Sequence, residues 1–445
     1  MPNFEAIISL FGSVAWAGVA FVVALFVIVA IHEYGHYIVG RWSGIHADVF
    51  SIGMGPVLVS RTDRRGTVWQ IAAIPFGGYV KFRGDSTAAS APDRAKLQGM
   101  QDNELRSTLE GAPLWARAAT VAAGPVFNFA FSVLLFAGIF ISQGQQSNTL
   151  VIDTMPDFPT DYSIRSGDEI LAINDQDVFD LRDLYTTGLP PQHQGVVEYR
   201  VRRGGAEHVV TGPPPVPALV ASVSPGSAAF AAGLQAGDII VAANDQPVYD
   251  FSDVQAIVAT TGGNAVAFQI WRAGDYLDFN IAPKPSDLPT ADGGFETRWL
   301  IGVSSDFFFD TAIETVGFGE AVLASANRVW YIITTTFSGL WHIVTGAIST
   351  CNLNGPITIA ETSGQVATLG LATFLSFIAA ISTIIGLMNL LPVPMLDGGH
   401  LMFYLYEGLT RRRPNERVYQ VLTSIGVSLV ISLMVFALIN DIRCP

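Results

Sequence analysis

The sequence predicts a polytopic α-helical membrane protein, with four transmembrane helices and a β-rich section between the second and the third. Three observations carry that expectation. Half of the 445 residues are hydrophobic and only 14% are charged, against about 25% charged in an ordinary soluble domain. Four apolar runs are long enough for a hydrocarbon core of about 30 Å, which needs roughly 20 helical residues. Between the middle pair of runs, the pattern changes to short alternating segments that occur twice.

The first run covers residues 7–40. The residues before it, MPNFEA, make no basic leader, and the run continues past the roughly 7–15 apolar residues of a signal peptide, so it is expected to persist as a helix. Its second half, FVIVAIHEYGHYIVG, sets His32, Glu33 and His36 in lipid-compatible sequence, where ionisable groups are costly and need partners. Next, FSIGMGPVLVS (50–60) and VWQIAAIPFGGYVKF (68–82) read as strands joined by the charged turn RTDRRG. The second run, 118–142, contains AGPVFNFAF, which puts Gly124 and Asn128 on one helix face. That face is expected to pack closely against the site, with direct substrate contact as the other reading.

A repeat follows. SGDEILAIND (166–175) matches AGDIIVAAND (236–245), a shift of 70 that continues through Val178/Val248, Asp180/Asp250 and Asp183/Asp253; self-similarity at a fixed shift marks a duplicated unit. Each copy alternates as strands do, in VEYRVRR (197–203) and AFQIWRA (267–273). The pattern GD-x-I-x-x-x-N-D before a short helix resembles PDZ domains of the bacterial type, which bind extended peptides by strand addition. The second copy keeps the lead-in SPGSAAFAAGLQAGD (224–238) and is expected to take peptide termini. The first has MPDFPTDYSIRSGD (155–168) there, without the small residues. TGPPPVP (211–217) is a stiff joint between the copies.

Residues 318–349 are apolar, but Glu320, Arg328 and His342 interrupt them, and Trp330, Tyr331 and Trp341 suit a membrane interface. One or two helices lying on the outer surface are expected. The third and fourth runs are 370–391 and 418–439. Net charge is −14 and uneven: residues 143–300 hold 8 Lys/Arg against 20 Asp/Glu, residues 41–117 hold 10 against 7, and RRRPNER (411–417) links the last two runs. Basic loops stay inside, so the first and third loops are expected in the cytoplasm and the acidic middle section outside. No basic stripe is available for nucleic acid. Cys351 and Cys444 fit no zinc-finger spacing and are expected to be structurally incidental.

HEYGH fits H-E-x-x-H, whose histidines share a helix face and can chelate one Zn²⁺, with the glutamate as general base. Catalytic zinc takes three protein ligands and leaves a fourth position open. The end of the third run, MNLLPVPMLDGGH (388–400), offers Asn389 and Asp397 beside Pro392 and Pro394, which unwind a helix. Unwound backbone at membrane depth must be buried in protein or line a wet cavity. Asp397 is therefore the expected third ligand, with His400 as its competitor. His46, His193, His208 and His342 read as surface or interface residues. Asp397 reaches the depth of HEYGH only if residues 318–349 do not cross the membrane.

HEYGH in a first span, Asn389-x-x-Pro392-x-Pro394-x-x-Asp397-Gly398 in a later one and PDZ-like repeats between them resemble the site-2 protease family of intramembrane zinc metalloproteases. The likeness is greatest to the branch of bacterial regulators of sigma-E, and it covers nearly the whole chain. It implies zinc held by His32, His36 and Asp397, Glu33 as catalytic base, and Asn389 binding substrate backbone. It also implies that the two strands form a membrane-reentrant β hairpin, in which Gly53, Gly55, Gly77 and Gly78 admit a substrate backbone. CNLNGPITIA (351–360) resembles the family's segment before the third span, with no chemistry evident from its residues.

The expected organisation is 1–142 for the first two spans with the hairpin, 147–213 and 217–285 for the PDZ-like domains, 310–365 for interfacial helices and 370–445 for the last two spans. Such an enzyme would sit in the bacterial inner membrane, PDZ-like domains in the periplasm and zinc towards the cytoplasm. It would hydrolyse pre-trimmed single-span proteins of the anti-sigma-factor class, or signal-peptide remnants. Two rivals stand beside it: a non-catalytic PDZ-type scaffold, which leaves Glu33 unexplained, and a metal transporter, which requires a translocation path rather than one site.

Overall fold

The computed structural model describes residues 4–85, 99–147, 150–186, 194–290 and 295–443. His193 and Cys444 lie outside these ranges. The chain divides into two compact units, Met1–Phe140 with Gly317–Val344 and Leu353–Pro445, and Ile141–Val316 with Thr345–Asn352.

Among the described residues, the first unit holds seven helices longer than one turn, α1 (Phe4–Trp42), α2 (Leu114–Gln143), α3 (Phe318–Thr345), α4 (Pro356–Thr368), α5 (Leu371–Asn389), α6 (Asp397–Thr410) and α7 (Glu416–Arg443), besides the single turn Asp102–Leu105. Four segments among the described residues are long and apolar enough to cross a membrane, Ala15–Trp42, Leu114–Gln143, Leu371–Asn389 and Arg417–Arg443. They correspond to the four apolar runs of the sequence. Ala24 and Ile28 of α1 pack on Ile378 of α5, with Phe131 and Leu135 of α2 beside them. Val421, Ile425, Leu429 and Leu433 of α7 are exposed, an outward apolar face that suits a hydrocarbon solvent.

One continuous helix, α3, occupies the stretch where one or two were expected, and it is not among the four membrane-spanning candidates. Val329 packs on Phe136 of α2 and Ala379 of α5, while Trp330, Tyr331, Phe337 and Trp341 remain exposed. The amphipathic pattern thus follows burial on one stripe only. The first turn of α4 has no capping side chain of its own. Asp441 of α7 supplies it, accepting from the Gly355 and Ile357 N–H groups at 2.7 and 2.9 Å and from the Thr358 hydroxyl at 2.7 Å. Helix α6 was not anticipated from the sequence, because its glycines and polar residues hide a helical period.

Strands β1 (Ala47–Thr62) and β2 (Val68–Phe82) pair antiparallel around the expected charged turn. The pairing is more than a plain hairpin. Phe50 is partnered by both Val80 and Trp69, and Ser51 by both Tyr79 and Gln70, so the first part of β1 is flanked by β2 on both sides. Gly53, Gly55 and Gly77, all at positive φ, make the bends this requires. Asp63 ties the turn down, accepting from the Arg65 and Thr67 N–H groups at 2.8 and 3.0 Å and from Trp69 Nε1 at 3.2 Å.

In the second unit the duplication is visible as two four-stranded sheets of the same order. Gln176–Asp177, Glu169–Ile173, Val197–Arg203 and Ala206–Gly212 form one; Gln246–Pro247, Ile239–Ala243, Val266–Arg272 and Asp275–Ile281 form the other. Each carries a fully buried aspartate bound by arginine: Asp168 by Arg203 and Asp238 by Arg272. Among the described residues, the helix Ala228–Ala232, capped by Ser227, has no counterpart in the first copy. It coincides with the small-residue lead-in that the first copy lacks.

Three expectations need correction. The second copy does not stop at 285: Ile301 lies in its core with Trp299 and Val303 against it, and Val303–Ser304 pairs with Ser222–Val223. The first copy is likewise not closed at 213, since Phe308 and Phe309 fill its core and Asp310–Thr311 pairs with Ile152–Thr154. Hydrophobic cores recruit strands from either side of an insertion, and the 70-residue shift gives no sign of that. Cys351 is not incidental either, because it is disulfide-bonded.

Candidate active site

Helix α1 carries His32 and His36 against α2 and Glu33 against Gly78 of β2. The imidazoles stand edge to face, with Nε2 atoms 3.2 Å apart. Asp397 arrives from the far end of the chain. Helix α5 ends at Asn389, residues 390–396 form turns, and α6 begins at Asp397, which is the break expected from Pro392 and Pro394. The turn closes because Gly398 and Gly399 lie on the carbonyls of Leu390, Leu391 and Val393, where no Cβ fits. Asp397 Oδ2 then lies 3.2 Å from His32 Nε2 and 3.5 Å from His36 Nε2.

These separations are diagnostic. Donors bound tetrahedrally to zinc at about 2.0–2.1 Å stand about 3.3 Å from one another, and the three distances here are 3.2, 3.2 and 3.5 Å. Two imidazoles and a carboxylate form a donor set proper to a catalytic metal. Among the described residues, this is the single group of three His, Cys, Asp or Glu side chains close enough to share an ion. His400 lines the same cavity but is not part of the group. Burial pushes its imidazole below the ordinary value.

Helix α2 holds the rings from behind. The Thr120 carbonyl lies 2.9 Å from His36 Nδ1, and the Asn128 amide 3.3 Å from His32 Nδ1. Gly124 sits between these contacts, where a Cβ would come within 2.8 Å of His32 Cε1. Gly35 makes the reciprocal approach, with the Ala123 carbonyl where its Cβ would be. The spacing of Gly124 and Asn128 therefore serves close packing, as expected, and Asn128 also touches a candidate ligand. Thr120 was missed, because a main-chain carbonyl leaves no signature in sequence.

A cavity of about 430 Å³ opens from this cluster. Glu33 lines it together with Asn389, Tyr79 and Val80, and Gly78 lies against Glu33, leaving no room for a Cβ. Of the four glycines expected to admit substrate, Gly78 is at the cavity; Gly53, Gly55 and Gly77 are not in its lining. Further along are Asp85, Glu110, Arg117, Glu407 and Arg413. Arg117, 4% exposed, binds Glu407 through two hydrogen bonds of 3.0 and 2.7 Å and holds its carboxyl below the usual range. Burial pushes the Asp85 carboxyl up to about 7, against the opposing hydrogen bond from the Phe82 N–H. Of the histidines expected on surfaces, His46 is half-buried near Asp48, and His342 bonds within its own helix.

The chain's sequence matches the family described as Peptidase family M50 over residues 20–433. It is similar to a protein of Agrobacterium fabrum provisionally named a zinc metalloprotease, 35% identical with 95% of each chain covered. It is also similar to the protein named Protease RseP of Yersinia pestis, 32% identical with 96% of this chain and 99% of the relative covered. The Regulator of sigma-E protease RseP of Salmonella typhimurium is 31% identical over the same shares.

Proposed function

The chain belongs to peptidase family M50, and on that premise we propose that it is a zinc endopeptidase that cuts peptide bonds inside the membrane. The observation that carries this reading is the triangle of His32, His36 and Asp397, with sides that suit tetrahedral zinc. Bound there, zinc would acidify a water molecule and polarise the scissile carbonyl. Glu33, adjacent to His32 on the cavity wall, is the base that would accept a proton from the attacking water and return it to the leaving amine. Asn389, on the same wall, hydrogen-bonds the substrate backbone.

The substrate is read as an extended segment. A helical carbonyl is sterically covered, so cleavage requires local unwinding, and residues 78–82 offer a strand edge beside Glu33 for the unwound chain to join. Both strands together are read as a membrane-reentrant hairpin. The second repeat is read as a PDZ-like module that takes peptide termini; its capped helix Ala228–Ala232 supports that assignment. Single-span anti-sigma factors, trimmed beforehand on the outer side, are the expected substrates, in keeping with the Salmonella relative's name as a regulator of sigma-E. Signal-peptide remnants are a second class.

Contacts at the two ends of the bundle support four crossings in the bacterial inner membrane. Arg413, before α7, binds Glu110, before α2, which puts both basic loops on one face, read as cytoplasmic. Asp441, at the end of α7, binds the start of α4 at the other face. A disulfide at Cys351 suits an oxidising compartment and so an outward-facing second unit. Glu33→Gln is expected to keep zinc and to lose cleavage of a single-span model substrate in detergent or vesicles. Cleavage that survives the substitution would sink the protease reading.

A further inference from the structure

We infer that Asn128 is a positioning residue of the metal centre: its side-chain oxygen accepts the Nδ1 proton of His32 and so fixes which ring nitrogen faces the metal. The inference rests on His32 being a ligand, as proposed above. An imidazole that gives the lone pair of Nε2 to a cation carries its proton on Nδ1 and needs an acceptor there. For His36 that acceptor is the Thr120 carbonyl, which can only accept, 2.9 Å away. For His32 the atom within reach belongs to the Asn128 amide, at 3.3 Å.

Asn128 is fully buried, and its Oδ1 has no hydrogen-bond partner while Nδ2 is turned to the ring. The two ends of an amide have the same shape, and only their partners distinguish oxygen from nitrogen. With the amide turned over, Oδ1 meets Nδ1–H, and His32 presents Nε2 to the point shared with His36 and Asp397. Packing of α2 on α5 uses the Asn128 Cβ, which lies at Gly386, and not the amide group. It is the main-chain carbonyl of Asn128 that accepts from Ser132 and Ser382, at 2.9 and 3.1 Å, and any residue supplies that carbonyl.

The test is zinc affinity of the purified full-length protein, measured by competition with a chromophoric chelator, for wild type, Asn128→Leu, Asn128→Asp and His32→Ala. Leucine keeps the shape and removes the acceptor, so binding should weaken by about 10- to 100-fold, the usual effect of losing a ligand's hydrogen-bond partner. Aspartate keeps an oxygen at the ring and should hold zinc at least as tightly as wild type. Wild-type affinity in Asn128→Leu, or tenfold weaker binding in Asn128→Asp, would overturn the inference. Should the leucine variant not fold, the aspartate variant decides alone. Equal affinity in wild type and His32→Ala would instead remove the metal reading itself, an outcome distinct from the other two.

Discussion

Gly124 of α2 lies against the imidazole of His36, so close that a Cβ at that position would stand 2.6 Å from Cε1. Real Cβ atoms do not approach so near, and the ring must move if the glycine is replaced. Gly124→Ala should lose zinc and activity together, by tenfold or more in zinc affinity, with helical content retained. Gly138 of the same helix has open space around it, and Gly138→Ala should keep zinc. Metal analysis of the two purified variants checks the pair.

Asp397 and His400 both line the cavity, but only Asp397 reaches the two histidines. Asp397→Ala should release zinc during dialysis against a mild chelator. His400→Ala should retain it at the wild-type level. Reversed results would transfer the third ligand to His400.

The pair of buried Arg117 and half-buried Glu407 is a folding commitment rather than a source of stability. Removing one partner leaves a charge without compensation at a site 4% exposed, which costs about 3–5 kcal/mol, whereas replacing both by apolar residues of similar size is often neutral. Thermal unfolding in detergent should therefore show Glu407→Ala well below wild type. The double variant Arg117→Met, Glu407→Leu should recover most of that loss.

Asp85 gives the stability a pH dependence. Its carboxyl titrates near 7 in the folded chain and near 3.8 when unfolded, so folding favours the protonated form. That contribution is fully present below about pH 3.8 and is lost as pH rises through 7. Melting temperatures of wild type should fall relative to Asp85→Asn between pH 5 and pH 8. A constant difference between the two over that range would show that Asp85 is not buried as described.

Much of the site was legible because its chemistry is local. HEYGH puts two imidazoles on one helix face without help from the rest of the fold, and the prolines around 392–394 mark the break that frees Asp397. The partners that hold those groups were less legible. Thr120 acts through its backbone, Asn128 looks like an ordinary packing residue, and Arg117 meets Glu407 from 290 positions away. The four candidate spans follow from hydropathy alone. Helix α6 does not, since it depends on the turn that Gly398 and Gly399 permit.

The crossing of strands between the repeats dictates an order of assembly. Residues 150–212 leave the ribosome before the second copy, yet Phe308, Phe309 and the strand Asp310–Thr311 that finish their core follow it. The earlier copy must therefore wait, with an open core, until the later one has been synthesised. Cutting the chain at the proline joint would not release two independent modules. It would give an unfinished copy on one side and a stray strand on the other.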